Sequence, residues 1–264
     1  MKKIKNILLA LIFVPCAIFF SACGGVNAQL KKEASVDTEG TYITSSKSEL
    51  STYIGCSDQN IPNNEKTTLS GYRITCKTVI DNNEMKNNAI FILGNTISET
   101  QFAGRTTSTS NGKQIAQANM YLKDGWVYVN AEGGGISLKQ KYLMTLNSDI
   151  TNIEDLIESF QSPINFIEKI IEEENINVYV SIKGATKKFK IEANTNPSLL
   201  GNELVSYLIY ENDILQGIKF TTVENDGLTM DYTIERFSGS IKFPSFKGYI
   251  ETTSEIEDWI NPFE

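Results

Sequence analysis

The chain has 264 residues, 41% hydrophobic and 21% charged, with 24 Lys+Arg against 32 Asp+Glu and a formal net charge of -8. That mixture is globular, and its acidic balance leaves no cationic surface for a nucleic-acid partner. Histidine is absent, which removes the usual general base of serine and cysteine hydrolases and the commonest zinc ligand.

Lys2, Lys3 and Lys5 precede an apolar run over residues 7–20, interrupted only by Pro15 and Cys16. This is the pattern of a signal-peptide core. At about 1.5 Å per residue the run reaches roughly 21 Å, short of the roughly 30 Å of hydrocarbon a stable span must cross, so it reads as cleaved. Phe20-Ser21-Ala22-Cys23-Gly24 follows. Small residues before a cysteine resemble the lipobox of bacterial lipoproteins, with Phe20 in place of the usual Leu; an ordinary secretory cut near Ala22 is the competing reading. The expectation is residues 1–22 as a lipoprotein signal peptide, a diacylated (palmitate-bearing) Cys23, and residues 23–40 as a flexible tether. The location implied is the extracytoplasmic face of the cell membrane, held through lipid on Cys23. Loss of the three lysines makes the mature chain still more acidic, so the lipid rather than a basic patch must hold it there.

Cys56 and Cys76 form an even pair in an oxidising compartment and are disulfide candidates, a bridge worth roughly 3 kcal/mol in the chain-entropy model. Cys76 also shares a strand face with Tyr72 and Ile74, which fits an ordinary buried thiol instead.

From about Gly71 the pattern is period two, broken by turn chemistry. Residues 72–80 and 89–93 flank Asp81-Asn82-Asn83-Glu84, residues 115–122 and 126–130 flank Lys123-Asp124-Gly125, and Asn111-Gly112 joins a strand over 101–107 to one starting near Gln114. Both Asn-Gly and Asp-Gly are strong hairpin signals, and together they predict an antiparallel meander. Gly133-Gly134-Gly135 lacks the Gly-Lys-Ser/Thr of a phosphate cradle and reads as a loop or bulge.

The period then changes. Thr151 and Glu154 form a capping box, and Ser162-Pro163 starts a second helix with Ile164, Ile167, Ile170 and Ile171 on one face. Glu172-Glu173-Glu174 reads as a solvated run. A second set of strands follows. Val178, Val180 and Ile182 turn at Lys183-Gly184-Ala185-Thr186 into Phe189, Ile191 and Ala193. Val205, Tyr207 and Ile209 turn at Glu211-Asn212-Asp213 into Ile218, Phe220 and Thr222, and Asn225-Asp226-Gly227 leads to Leu228, Met230, Tyr232 and Ile234. Residues 241–244 read as extended near an edge because of Pro244, and residues 252–263 as a short helix whose Trp259 caps the core.

Strands, helices and more strands predict an α+β fold: a large curved antiparallel sheet, a half-barrel, with helices packed on its concave face and residues 41–264 as one domain. Residues 120–129, Met-Tyr-Leu-Lys-Asp-Gly-Trp-Val-Tyr-Val, then Lys141-Tyr142-Leu143-Met144 and the helices, resemble the LolA/LppX-like envelope lipoproteins. That resemblance implies a curved sheet covered by helices and, as in several members, a lipid or acyl chain carried on the concave face. It transfers no ligand residue.

The functional expectation is a lipid-anchored, non-enzymatic binding protein with no cofactor or metal, holding a hydrophobic or lipid-like ligand. Candidate lining residues are Ile164, Ile167 and Ile171 from the helix, with Tyr207, Ile209, Ile218, Phe220, Met230 and Tyr232 from the strands. The alternative is a structural or protein-interaction lipoprotein whose sheet edges engage an unknown partner. Ser110-Asn111-Gly112-Lys113 matches Ser-x-x-Lys formally, but it sits in a hairpin turn and has no Lys-Thr-Gly partner, so it does not point to an enzyme.

Overall fold

The computed structural model describes residues 28–59, 71–94, 96, 98–133, 135–143, 175–193, 203–223 and 227–252. Cys23, the signal segment, both helices expected over residues 151–174 and the C-terminal helix with Trp259 lie outside these residues.

The described strands all belong to one sheet. A six-strand meander, β2 (Gly71–Ile80), β3 (Asn83–Ile92), β4 (Gln101–Ser110), β5 (Lys113–Lys123), β6 (Trp126–Gly133) and β7 (Ile136–Leu143), is followed by a five-strand one. The latter comprises β8 (Ile176–Lys183), β9 (Thr186–Ala193), β10 (Glu203–Glu211), β11 (Ile214–Val223) and β12 (Thr229–Arg236). Antiparallel pairing of β12 with β2 joins them, Tyr232 facing Cys76. Two short strands finish the edges: β1 (Ile43–Thr44) beside β8, and β13 (Ile250–Glu251) parallel to β7. The full order is β1-β8-β9-β10-β11-β12-β2-β3-β4-β5-β6-β7-β13, an open sheet of 13 strands.

Local chemistry accounts for the tight turns. Asn111 and Gly112 have φ of 51° and 73°, Asp124 and Gly125 54° and 77°. Two successive positive φ values give the turn whose twist matches paired strands, and Asn-Gly and Asp-Gly reach them at least cost. Gly135, at φ 83°, turns β6 into β7, so the triple-glycine segment is a hairpin connection.

Alternation gives the sheet two faces. One carries Val178, Phe189, Leu208, Ile218, Phe220, Tyr232 and Cys76, buried against Leu50 and Ile54 of α1 (Lys47–Gln59). Tyr53 of α1 sits 5.2 Å from the ring of Phe189 and 5.3 Å from that of Tyr210. We call this the helix face.

The other face is crossed by two extended segments. Residues 28–42 begin with a 3-10 turn (Ala28–Lys31) and cross several strands. Leu30 packs with Ile90 of β3, the Ala34 amide donates to Thr75 Oγ1 of β2 at 2.8 Å, and Val36 sits over Gly217 of β11. Asp37 then pairs with Lys188 of β9 at 2.6 Å, and Tyr42 meets Tyr207 of β10 before the chain turns into β1. Residues 237–249 leave β12 and run the opposite way. Phe237 lies over Arg73, Phe243 and Phe246 against Tyr121, and Phe246 stacks on Tyr128 with ring centroids 3.8 Å apart before the chain enters β13. Each strap thus ends as the strand that closes one edge. We call this side the strap face.

Two expectations are corrected and a third finds no support. The class is mostly β, a large open sheet, rather than α+β with helices on a concave face; α1 is the one α-helix among the described residues, and the strap face is covered by extended chain. Residues 28–39, read as tether, are docked: Leu30 is 1% exposed and Asn88 Nδ2 donates to its carbonyl at 3.2 Å. Small and polar composition suggested a linker, but isolated apolar residues suffice to anchor a strap that carries no periodicity. The Cys56–Cys76 bridge is not supported, since no disulfide is found among the described residues. Cys76 is buried in the helix-face core, while the Cys56 side chain lies outside the described residues.

Candidate functional site

On the helix face, Ile218, Phe220, Met230 and Tyr232 come together, all at most 4% exposed. The rings of Phe220 and Tyr232, directly opposite across β11 and β12, stack 4.9 Å apart. Burial pushes the Tyr232 hydroxyl well above the ordinary tyrosine range. Tyr207 and Ile209 are on the strap face, Tyr207 against Tyr42 and Ile209 opposite Gly217. The parity of β10 is set by Leu204, Ser206, Leu208 and Tyr210, which point to the helix face. A strand covered on both sides has no apolar alternation, so its sequence does not announce its inward set. Ile164, Ile167 and Ile171 lie outside the described residues.

Sequence reading missed Ser206. It faces Phe220 on one side and Ile191 on the other, is fully buried, and its Oγ has no hydrogen-bond partner. A lone hydroxyl among aromatic and aliphatic side chains costs stability unless something bonds it.

The helix face continues past this core. Across β4 to β7 it presents a second apolar field that includes Leu122, Val127, Val129 and Ala131, flanked by Phe102 and Tyr142. Between the fields lies one polar seam, Thr106 Oγ1 donating to Asn87 Oδ1 at 2.5 Å, both side chains buried. Eleven long strands at about 4.8 Å spacing make a face roughly 50 Å wide, whereas thirteen residues of α1 reach only about 20 Å.

The strap face holds a different arrangement. Its midline is a row of directly facing residues, Thr233, Thr75, Asn88, Arg105, Asn119 and Asn130, on six consecutive strands. Straps make no sheet ladder with what they cross, so their backbone groups need other partners. Thr75 and Asn88 supply them to the N-terminal strap, and Thr75 Oγ1 also donates to Asn88 Oδ1 at 2.9 Å. Under the C-terminal strap the row is less satisfied. Asn130 bonds the Tyr249 hydroxyl, yet Asn130 Oδ1, both amide atoms of Asn119 and the Tyr121 hydroxyl have no partner although all three residues are buried. Burial pushes Tyr121 up to about 12, with the neighbouring Tyr249 adding to the shift, so its phenol stays protonated at neutral pH and can serve as a donor.

The chemistry available is hydrogen bonding and apolar contact. Among the described residues no group of acidic, cysteine or histidine side chains is placed to hold a metal, and no helix is long and apolar enough to cross a membrane.

No family model matches the chain, so the LolA/LppX resemblance has no family match behind it. No curated protein matches either. Among solved structures, the S-type phycobiliprotein lyase CPES from Guillardia theta is similar over 68% of this chain and 95% of its own, at 7% sequence identity and a TM-score of 0.15. A likeness that loose carries no argument about fold or ligand.

Proposed function

We propose that this is a lipid-anchored extracytoplasmic binding protein, without enzymatic activity, whose helix face takes a hydrophobic or amphipathic ligand. The observation that carries the reading is the pair of apolar fields on that one face, far wider than α1. Ser206 supplies the polar contact: its buried, unpartnered hydroxyl sits among Phe220, Ile191 and their neighbours, where the headgroup-proximal oxygen of an acyl ligand would satisfy it. The lack of histidine supports the non-enzymatic side of the reading. The anchor rests on the lipobox-like Phe20-Ser21-Ala22-Cys23 and the short apolar run before it.

Native mass spectrometry of the purified protein tests the ligand: the expected result is a copurified lipid mass that is lost or reduced in Ser206→Val. A single apo mass under gentle ionisation, unchanged after incubation with lipid extracts, overturns it. Labelled palmitate incorporation, abolished in Cys23→Ala, tests the anchor separately.

A second reading has its own support. Ile43 and Ile182 at the β1/β8 edge are 64% and 61% exposed, and Ile250 and Leu143 at the β7/β13 edge are 70% and 55% exposed. Exposed apolar residues at sheet edges suit a protein partner. Crosslinking in cells that returns one consistent neighbour, together with an empty helix face, favours this reading over the first.

A further inference from the structure

The docking of the N-terminal strap fixes where the chain enters the folded body. Leu30 is buried, and Gln29 is held from both sides: its Nε2 donates to the Ser240 carbonyl at 2.9 Å, and its Oε1 accepts from the Lys242 amide at 2.7 Å. The two straps therefore meet at Gln29, on the strap face. Only residues 24–27 separate Cys23 from Ala28. Even fully extended, that stretch reaches about 18 Å.

The charges around the junction point the same way. Lys31 and Lys32 follow Gln29 on one strap, Lys242 lies on the other, and all three are exposed, as is Lys247 five residues farther along. Two acidic groups of this region are engaged: Glu33 pairs with Lys86, and Glu235 with Arg73 at 3.1 Å, Lys32 also approaching Glu235 at 3.8 Å. An otherwise acidic protein thus presents lysines where its chain leaves for the bilayer. Phosphates of an anionic leaflet attract lysines within a Debye length, about 8 Å at physiological ionic strength.

Resting on the lipid-anchor reading above, we infer that the strap face is the membrane-facing surface of this protein, with the Gln29 junction and its lysines against anionic lipid headgroups. The helix face then points away from the bilayer.

The test uses the full chain, produced with its own leader and reconstituted in vesicles of phosphatidylcholine with phosphatidylglycerol. In a Cys56→Ser background, one variant carries a bimane label at Ser240→Cys beside the junction, and another carries it at Ser48→Cys on exposed α1. A quencher is attached to the lipid headgroup. Quenching severalfold stronger at position 240 than at 48 is expected. Neutralising the patch with Lys31→Gln, Lys32→Gln, Lys242→Gln and Lys247→Gln should lower that ratio on anionic vesicles while leaving it unchanged on pure phosphatidylcholine. Equal quenching at the two positions in a lipidated protein overturns the orientation and leaves the anchor standing. A ratio untouched by the lysine changes overturns the headgroup contact. An N-terminal peptide lacking the diacylglyceryl mass overturns the anchor and the orientation with it.

Discussion

Val36 sits where a side chain on Gly217 would go. A Cβ there would collide with the Val36 methyl and lie 2.6 Å from the Ile234 carbonyl oxygen on the neighbouring strand. The glycine in β11 is thus the notch through which the N-terminal strap lies flat on the sheet. Gly217→Ala should destabilise the protein by roughly 1–3 kcal/mol through overpacking against backbone that cannot yield. Urea unfolding followed by circular dichroism checks this, and pairing the change with Val36→Ala should restore part of the loss.

Leu30→Ala tests whether the strap belongs to the folded body. Leu30 is 1% exposed and packs with Ile90, Ala103 and Tyr121. The expected cost is about 2–5 kcal/mol, as for other buried leucines. Limited proteolysis should show earlier cleavage between residues 30 and 40 in the variant; identical protection would mean the strap is held without it.

Asn119→Leu should stabilise the free protein by about 1 kcal/mol, because a fully buried amide with neither atom bonded forfeits its hydration for nothing. Thermal unfolding measures the shift. A loss of stability would mean that the amide is bonded in solution, by water or by a bound molecule.

Alkaline pH should unfold the protein from about 10 upward. Burial pushes Tyr121 and Tyr142 up to about 12 from the ordinary tyrosine value of 10.0, so in that interval the unfolded chain releases phenol protons that the folded chain keeps. Folded protein binding more protons means stability falls as pH rises, is intact below pH 10 and is lost through about 12. Phenolate absorbance during the titration checks it. Tyr121→Phe should flatten the slope and cost little at neutral pH, since the hydroxyl it removes has no partner.

Where turn chemistry is strong the fold is legible in the residues. Asp124-Gly125 and Asn111-Gly112 placed two hairpins, and the alternation of Phe189, Ile191 and Ala193 gave the inward face of β9. β3 was read as starting at Ala89, yet it begins at Asn83, because Asn87 and Asn88 are polar residues that pair within the sheet rather than mark a loop. The midline row was hidden for another reason. Counting outward from Asn111-Gly112 sets Arg105 opposite Ala118, but the irregularity at Ser108 and Thr109 slips the register by one and brings Asn119 there instead. One extra residue in a strand changes every later pairing, and nothing in the serine- and threonine-rich composition of β4 announces it. On β10, dual burial erased the alternation, which is why Tyr207 and Ile209 were assigned to the wrong side.

The closing of each rim by the tail of a strap makes the protection of the rims a property of the whole chain. A nick near Gly40 would leave β1 tied to the body on its α1 side alone, loosening its cover of the amides and carbonyls of β8 beside Ile182. Damage to a surface segment would then show itself as one molecule joining the next, rather than as unfolding.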